Sequence, residues 1–141
     1  MPEDKAGTMN FKIEHIGIAV KNAEASIDLF SRLLGRTPYK SETVEHEKVI
    51  THFFETGESK IELLQGIGDN NPISRFIEKR GEGIHHIAFK VDDIKAEIEK
   101  LKIEGFEFRS DDPKPGADNK LICFLHPKST NGVLIELCQE I

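Results

Sequence analysis

Two histidines and two glutamates stand in matched places in the two halves of this 141-residue chain. His15 opens the run His15-Ile16-Gly17-Ile18-Ala19-Val20, and His86 opens His86-Ile87-Ala88-Phe89-Lys90-Val91, 71 residues further on. Glu62 lies in Ile61-Glu62-Leu63-Leu64 and Glu136 in Ile135-Glu136-Leu137-Cys138, 74 residues apart. Each half therefore carries a histidine near its start and a glutamate near its end. Two imidazoles and two carboxylates form a borderline N/O donor set, suited to Co²⁺, Ni²⁺, Zn²⁺, Mn²⁺ or Fe²⁺ with positions left open for a ligand. A lone histidine in a strand is ordinarily a hydrogen-bonded structural residue, and a lone glutamate a solvated one. The repetition of the whole set is what points to a metal.

Strand parity aims these residues. His15, Gly17 and Ala19 share one face of a strand while Ile16, Ile18 and Val20 share the other. The isoleucine face must pack on a helix, which turns His15 toward a cleft. The same argument turns His86 inward, and His85 outward, because Ile87, Phe89 and Val91 claim the helix side. Glu136 and Glu62 lie in apolar strands, where an unpaired buried carboxylate costs about 2–7 kcal/mol or more. A cation would offset that cost.

The elements carrying these strands repeat. In the first half, Asn22 caps a helix with Ile27, Phe30 and Leu34 at helical spacing and Gly35 as its stop, and strand-like segments follow near 37–41, 48–56 and 60–65. Asn71-Pro72 opens a short bridging helix over 71–81. In the second half, strand 85–91 leads to Asp92 as cap, a helix with Ile94, Ile98 and Leu101 inward, Gly105 beyond it, and strands near 106–110, 120–126 and 133–139. The grammar is βαβββ twice. One helix covers one sheet face, so each unit needs its other face covered by its partner. The expectation is an α+β fold: two tandem βαβββ modules (11–66 and 83–139) pair into a cupped mixed sheet, with helices outside and a metal cleft inside. Residues 11–139 then form one domain, preceded by a flexible leader at 1–10.

Composition narrows the partners. An apolar fraction of 38% and a charged fraction of 31% fit one soluble globular domain. The net charge of −6 argues against a nucleic-acid backbone, which demands clustered Lys and Arg. No apolar run reaches a membrane span, and the Met1-Pro2-Glu3-Asp4-Lys5 start lacks the apolar core of a secretory signal. Cys123 and Cys138 have no C-x-x-C spacing and lie in strand-like runs, which reads as buried free thiols in a reducing cytoplasm.

Other polar residues are weaker signals. His46, His52, His85 and His126 have no histidine at the matching place in the other half, and structural or surface roles are expected for them. Glu45-His46-Glu47 reads as a charged strand end that could overhang the cleft. The turn His126-Pro127-Lys128-Ser129-Thr130-Asn131-Gly132 is first a hairpin loop. Lys128, Ser129 and Thr130 are weak candidates for holding an anionic part of a ligand.

His15-Ile-Gly-Ile-Ala-Val, Gly83-Ile-His-His-Ile-Ala-Phe, Asp112-Pro-Lys-Pro-Gly and His126-Pro-Lys-Ser-Thr-Asn-Gly-Val-Leu-Ile-Glu-Leu resemble the methylmalonyl-CoA epimerase family of the vicinal-oxygen-chelate superfamily, alongside glyoxalase I. The likeness covers about 11–139. It implies a divalent metal, Co²⁺ favoured over Ni²⁺, Mn²⁺ or Zn²⁺, held by His15, His86 and Glu136 with Glu62 as fourth ligand. It also implies an acyl-CoA substrate, a homodimer, and interconversion of (R)- and (S)-methylmalonyl-CoA through a metal-stabilised enolate. Family members with Gln as fourth ligand use a Glu within the third strand as a base. Here the matching position is Thr51, so that role does not carry over. Glu62 could supply the second base beside Glu136, as paired metal-bound glutamates do in glyoxalase I, with Glu45 or Glu47 as alternatives. A glyoxalase I-type isomerase keeps the metal set but needs a glutathione pocket. An extradiol dioxygenase would use two His and one Glu around Fe²⁺, with a His acid/base near the open position. A non-catalytic binding module of the same fold has no use for four ligands.

Overall fold

In the computed structural model, residues 11–141 are described, and the leader expected at 1–10 lies outside them. The first half contributes β1 (Lys12–Ala19), α1 (Ala23–Leu34), β2 (Lys40–Val44), β3 (Val49–Thr56) and β4 (Ser59–Gly66). The bridging helix α2 spans Pro72–Arg80. The second half contributes β5 (Gly83–Lys90), α3 (Ile94–Ile103), β6 (Lys114–Gly116), β7 (Lys120–Phe124) and β8 (Ile135–Glu140).

The strands form one eight-stranded mixed sheet in the order β2-β3-β4-β1-β5-β8-β7-β6. Each half pairs its first strand in parallel with its last, β1 with β4 and β5 with β8, and the halves meet where β1 runs antiparallel to β5. The order therefore reads the same from either edge. The sheet is cupped and nearly closed. Its two edge regions touch where Asp118, in the turn between β6 and β7, takes Lys40 of β2 at 2.7 Å and Lys60 of β4 at 3.1 Å. No described helix is long and apolar enough to cross a membrane.

Apolar periodicity explains the convex packing. On α1, Ile27, Phe30 and Leu34 pack on Val20, Phe54 and Leu63. On α3, Ile94, Ile98 and Leu101 pack on Val91, Cys123, Leu125 and Leu137. Asn22 caps α1 by accepting from the Ala25 amide at 3.0 Å, and Gly35 closes it in the left-handed conformation at φ 70°. Helix α2 has a different seat. Its Ile73, Phe76 and Ile77 pack on Ala19, Val49 and Leu64, residues of the concave face, so α2 roofs one end of the cup. Asn71, fully buried, caps it by accepting from the Ser74 amide at 2.8 Å.

Three local expectations are corrected. The cap of α3 is Asp93, which accepts from Ala96, and Asp92 stands one place outside. The second strand of the first half sits at 40–44 rather than 37–41, because Thr37 and Pro38 lead into it as irregular chain. Residues 106–110 form no strand beyond a single bridge from Phe108 to Leu125. The edge strand is instead the three-residue β6. Pro113 and Pro115 remove two ladder donors from this stretch, which keeps the edge short.

Candidate active site

The concave face holds the four residues that the sequence pairs. Glu62 lies beside Gly17 across the β1–β4 ladder, and Glu136 lies beside Ala88 across the β5–β8 ladder. Each carboxylate is thus two residues along from the histidine of its own half, on the neighbouring strand. His15, Glu62, His86 and Glu136 are all buried. His15 Nε2 stands 3.0 Å from His86 Nε2, and Glu136 Oε1 lies 3.1 Å from His86 Nε2 and 3.7 Å from His15 Nε2. His15, His86 and Glu136 so form one tight donor cluster. Glu62 meets the other edge of the same ring, with Oε2 3.1 Å from His15 Nδ1.

Two further side chains enter the cleft that alternation alone excludes. A bulge between Ile13 and His15 leaves Glu14 as an extra residue on β1, and a second between Gly17 and Ile18 leaves His85 as an extra residue on β5. A bulge re-aims a side chain without flipping the rest of the strand. Glu14 is consequently buried beside His15, with Oε1 2.6 Å from Nδ1. His85 lines the cleft beside His86, their Nδ1 atoms 3.0 Å apart, with the Phe76 ring against it. The outward placement expected for His85 is therefore corrected. The doublets Glu14-His15 and His85-His86, polar pairs interrupting alternation at the same offset, were a usable signal.

The electrostatics are those of a buried acidic pocket. Burial opposes a charge on His15, but the neighbouring Glu136 and Glu14 carboxylates, with the charge of Glu62, raise its pKa to about 10. Burial also opposes a charge on Glu136, yet the two histidines lower it to about 2. Burial dominates at Glu62 and raises it to about 7, with His15 pulling the other way and Glu136 and Glu14 adding to the rise. At His85, burial and the charge of His86 lower the pKa to about 4.

The Nε2 side of the site, His15, His86 and Glu136, fits a divalent ion, and Glu62 groups with Glu14 at the Nδ1 edge of His15. Two imidazole nitrogens each ~2.1 Å from one ion lie roughly 3.0–3.4 Å apart, and the Nε2 atoms here stand 3.0 Å apart. Three buried carboxylates surround His15; Lys60 and Lys120 reach Glu14, while Glu62 and Glu136 meet the two imidazoles. A divalent ion among the ring nitrogens and Glu136 would take the place of the proton that these carboxylates otherwise favour on His15. Gly17 is part of the fit, since a Cβ there would strike the His86 imidazole.

The cleft encloses a volume of about 1050 Å³. Thr51 is buried in its wall, and Glu47 and His46 stand at its rim, where Glu47 meets Lys114 at 3.4 Å. Glu45 is outside the lining. Lys128, Ser129 and Thr130 also stand outside it. Lys128 pairs with Glu107 at 3.0 Å, Ser129 Oγ accepts from the Glu107 amide, and Thr130 Oγ1 donates to the Val133 carbonyl. His126 caps that turn through the Lys128 amide, and His52 is held between Ser41 and Gln65. The basic residues that do line the cleft are Lys48, Arg75, Lys79, Arg80, Arg109 and Lys114, with Lys120 deeper inside. The sequence gives them no common motif, because they come from separate elements.

A paired-module sheet enclosing two His and two Glu defines a class, and the comparison bears this out. A family profile described as the Glyoxalase/Bleomycin resistance protein/Dioxygenase superfamily matches residues 14–124, and the chain belongs to that superfamily. Within it, the chain is similar to methylmalonyl-CoA epimerases. It is 40% identical to the mitochondrial methylmalonyl-CoA epimerase of Dictyostelium discoideum, over 89% of this chain and 76% of the relative. It is 38% identical to an ethylmalonyl-CoA/methylmalonyl-CoA epimerase of Cereibacter sphaeroides, over 91% of this chain and 97% of the relative. The solved structure of a Streptomyces coelicolor methylmalonyl-CoA epimerase variant with 2-nitronate-propionyl-CoA superposes with a TM-score of 0.87 at 30% identity, covering 93% of this chain and 95% of that one.

Proposed function

We propose that this chain interconverts (R)- and (S)-methylmalonyl-CoA, with Glu62 and Glu136 moving the C2 proton and a divalent ion, Co²⁺ first, held by His15, His86, Glu136 and Glu62. The observation that carries the reading is the placing of two buried carboxylates against opposite edges of one imidazole, Glu62 at Nδ1 and Glu136 toward Nε2. Inversion at carbon requires removal of a proton from one face and delivery to the other, and a substrate bound between the two carboxylates would have one at each face. When bound, the ion supplies positive charge that stabilises negative charge developing beside it. For one enantiomer Glu136 accepts the C2 proton while protonated Glu62 donates to the opposite face. The other enantiomer reverses the roles, and exchange with solvent resets both groups. The working unit is the span 11–139, because the ligands come from both halves.

The names of the relatives support the acyl-CoA substrate, and the rim supports it chemically. Arg75, Lys79, Arg80, Lys48 and Arg109 offer cations to the phosphates of a CoA arm, on a chain whose net charge is −6. A homodimer is supported by the convex seam of β1 and β5, where Phe11, Ile13 and Ile84 are exposed apolar residues. A cytoplasmic setting is supported by Cys123 and Cys138, both buried free thiols.

The test is incubation of each enantiomer in D₂O, following deuterium at C2 and loss of chirality. The expected result is incorporation with racemisation, by protein carrying about one divalent ion per chain, and loss of turnover on chelation. Full activity in demonstrably metal-free protein, or a chiral centre that never exchanges, overturns the proposal.

A further inference from the structure

The two bulges do the same thing at matching places. Glu14 and His85 are the extra residues of their strands, and each immediately precedes the histidine of its own half. Each also meets that histidine at Nδ1, at 2.6 Å for Glu14 on His15 and 3.0 Å for His85 on His86. The Nε2 atoms of both rings then point at one another and at Glu136. A ring held through one nitrogen presents the other in a fixed direction, which is how neighbours of metal-ligating histidines act.

We infer that Glu14 and His85 are positioning residues, each holding one ligand imidazole through Nδ1 so that both Nε2 atoms address a single divalent ion. The inference rests on the metal reading above, but not on the reaction assigned to it.

The residues around the pair fit this role. Glu14 is anchored on its far oxygen by Lys60 at 2.8 Å, with Lys120 at 3.6 Å. Lys60 and Lys120 both reach Asp118, so a chain of charges runs from the edge of the sheet to His15. His85 is instead braced by the Phe76 ring, with centroids 4.8 Å apart. Glu14 has a second consequence. It is a nearer partner of His15 Nδ1 than Glu62, whose oxygen lies at 3.1 Å, and so leaves the Glu62 carboxylate less committed to that ring. The two partners differ in kind, since a carboxylate increases the basicity of its imidazole and a second imidazole does so less.

The test is Co²⁺ affinity by chelator competition, with the visible spectrum of the Co²⁺-loaded protein, for Glu14→Gln, His85→Phe and His85→Asn. Affinities are scaled to the folded fraction from circular dichroism. Glu14→Gln is expected to lose ~10–100-fold and His85→Phe about 10-fold, each with an altered spectrum. His85→Asn, which keeps a hydrogen-bonding group, should recover most of the loss. Should Glu14→Gln not fold, Glu14→Asp is read in the same way. Affinities of Glu14→Gln and His85→Phe within about twofold of the parent, well inside the loss expected of such neighbours, overturn the inference. A loss confined to one position overturns the paired arrangement. A parent protein that binds no Co²⁺ overturns the metal reading as well, whereas unchanged variants of a parent that binds it overturn this inference alone.

Discussion

The two halves present the same positions and give them opposite characters. Glu62 and Glu136 occupy matching places beside Gly17 and Ala88. Yet Glu136 is gripped by two histidines and lowered to about 2, while burial raises Glu62 to about 7. The bulge residues differ likewise: a lysine-anchored carboxylate on one side, a neutral imidazole against a phenyl ring on the other. Gly17 must be glycine because the His86 ring occupies the space of its Cβ, whereas Ala88 keeps a methyl group, fully buried. A repeated scaffold supplies convergence of donors. Departure from the repeat makes the two sides chemically distinct, which a two-faced proton transfer can use.

The harshest way to break the comparison is to remove basicity from one side at a time. Glu136→Gln and Glu62→Gln should each lower racemisation by ~10²–10⁴-fold. Residual deuterium exchange should survive with opposite enantiomers in the two variants. Normal epimerisation by Glu62→Gln alongside inactive Glu47→Gln would move the second base to the rim.

Gly17→Ala tests whether the close approach at the seam is needed. The added methyl pushes the His86 ring aside, so Co²⁺ affinity should fall ~10-fold or more by chelator competition. Stability should drop by about 1–3 kcal/mol in urea unfolding. The mirror-image change, Ala88→Gly, should leave affinity nearly unaltered; an equal loss there would erase the asymmetry.

Asn71→Ala addresses the join between the halves, away from the chemistry. Loss of the α2 cap should cost about 1–2 kcal/mol in urea unfolding, with the site retaining its metal. A metal affinity that collapses along with stability would mean that α2 shapes the ligand cluster.

The smallest effect is expected where the sheet edges meet. Lys40, Lys60 and Lys120 surround Asp118, with Tyr39 and Glu42 also against it, and although burial opposes its charge, the lysines lower its pKa to about 2. A depressed carboxyl stabilises the fold above its unfolded pKa, and that stability is lost as pH falls from about 4 toward 2. Asp118→Asn should flatten this part of the stability curve by on the order of 1 kcal/mol after solvent screening. An unchanged acid limb in thermal melts would show that the edges are held by other contacts.

Much of this was legible along the chain because strands and helices write their burial at fixed periods. Alternation in 15–20 and 86–91 places His15 and His86 on the concave face, and Asn22 and Asn71 mark helix starts through their side-chain oxygens. Pairing of the four donors follows from their repetition. What alternation could not supply is anything set by a partner strand. The bulges at Glu14 and His85 exist only in the register between β1 and β5, so a parity argument made on one strand sends both residues to the wrong face. The seat of α2 on the concave face, and the gathering of basic residues at the rim, likewise depend on where separate elements come to rest. A period is a property of one segment, and a register is a property of two, so the chain names the four paired donors and the paired sheet selects what holds them.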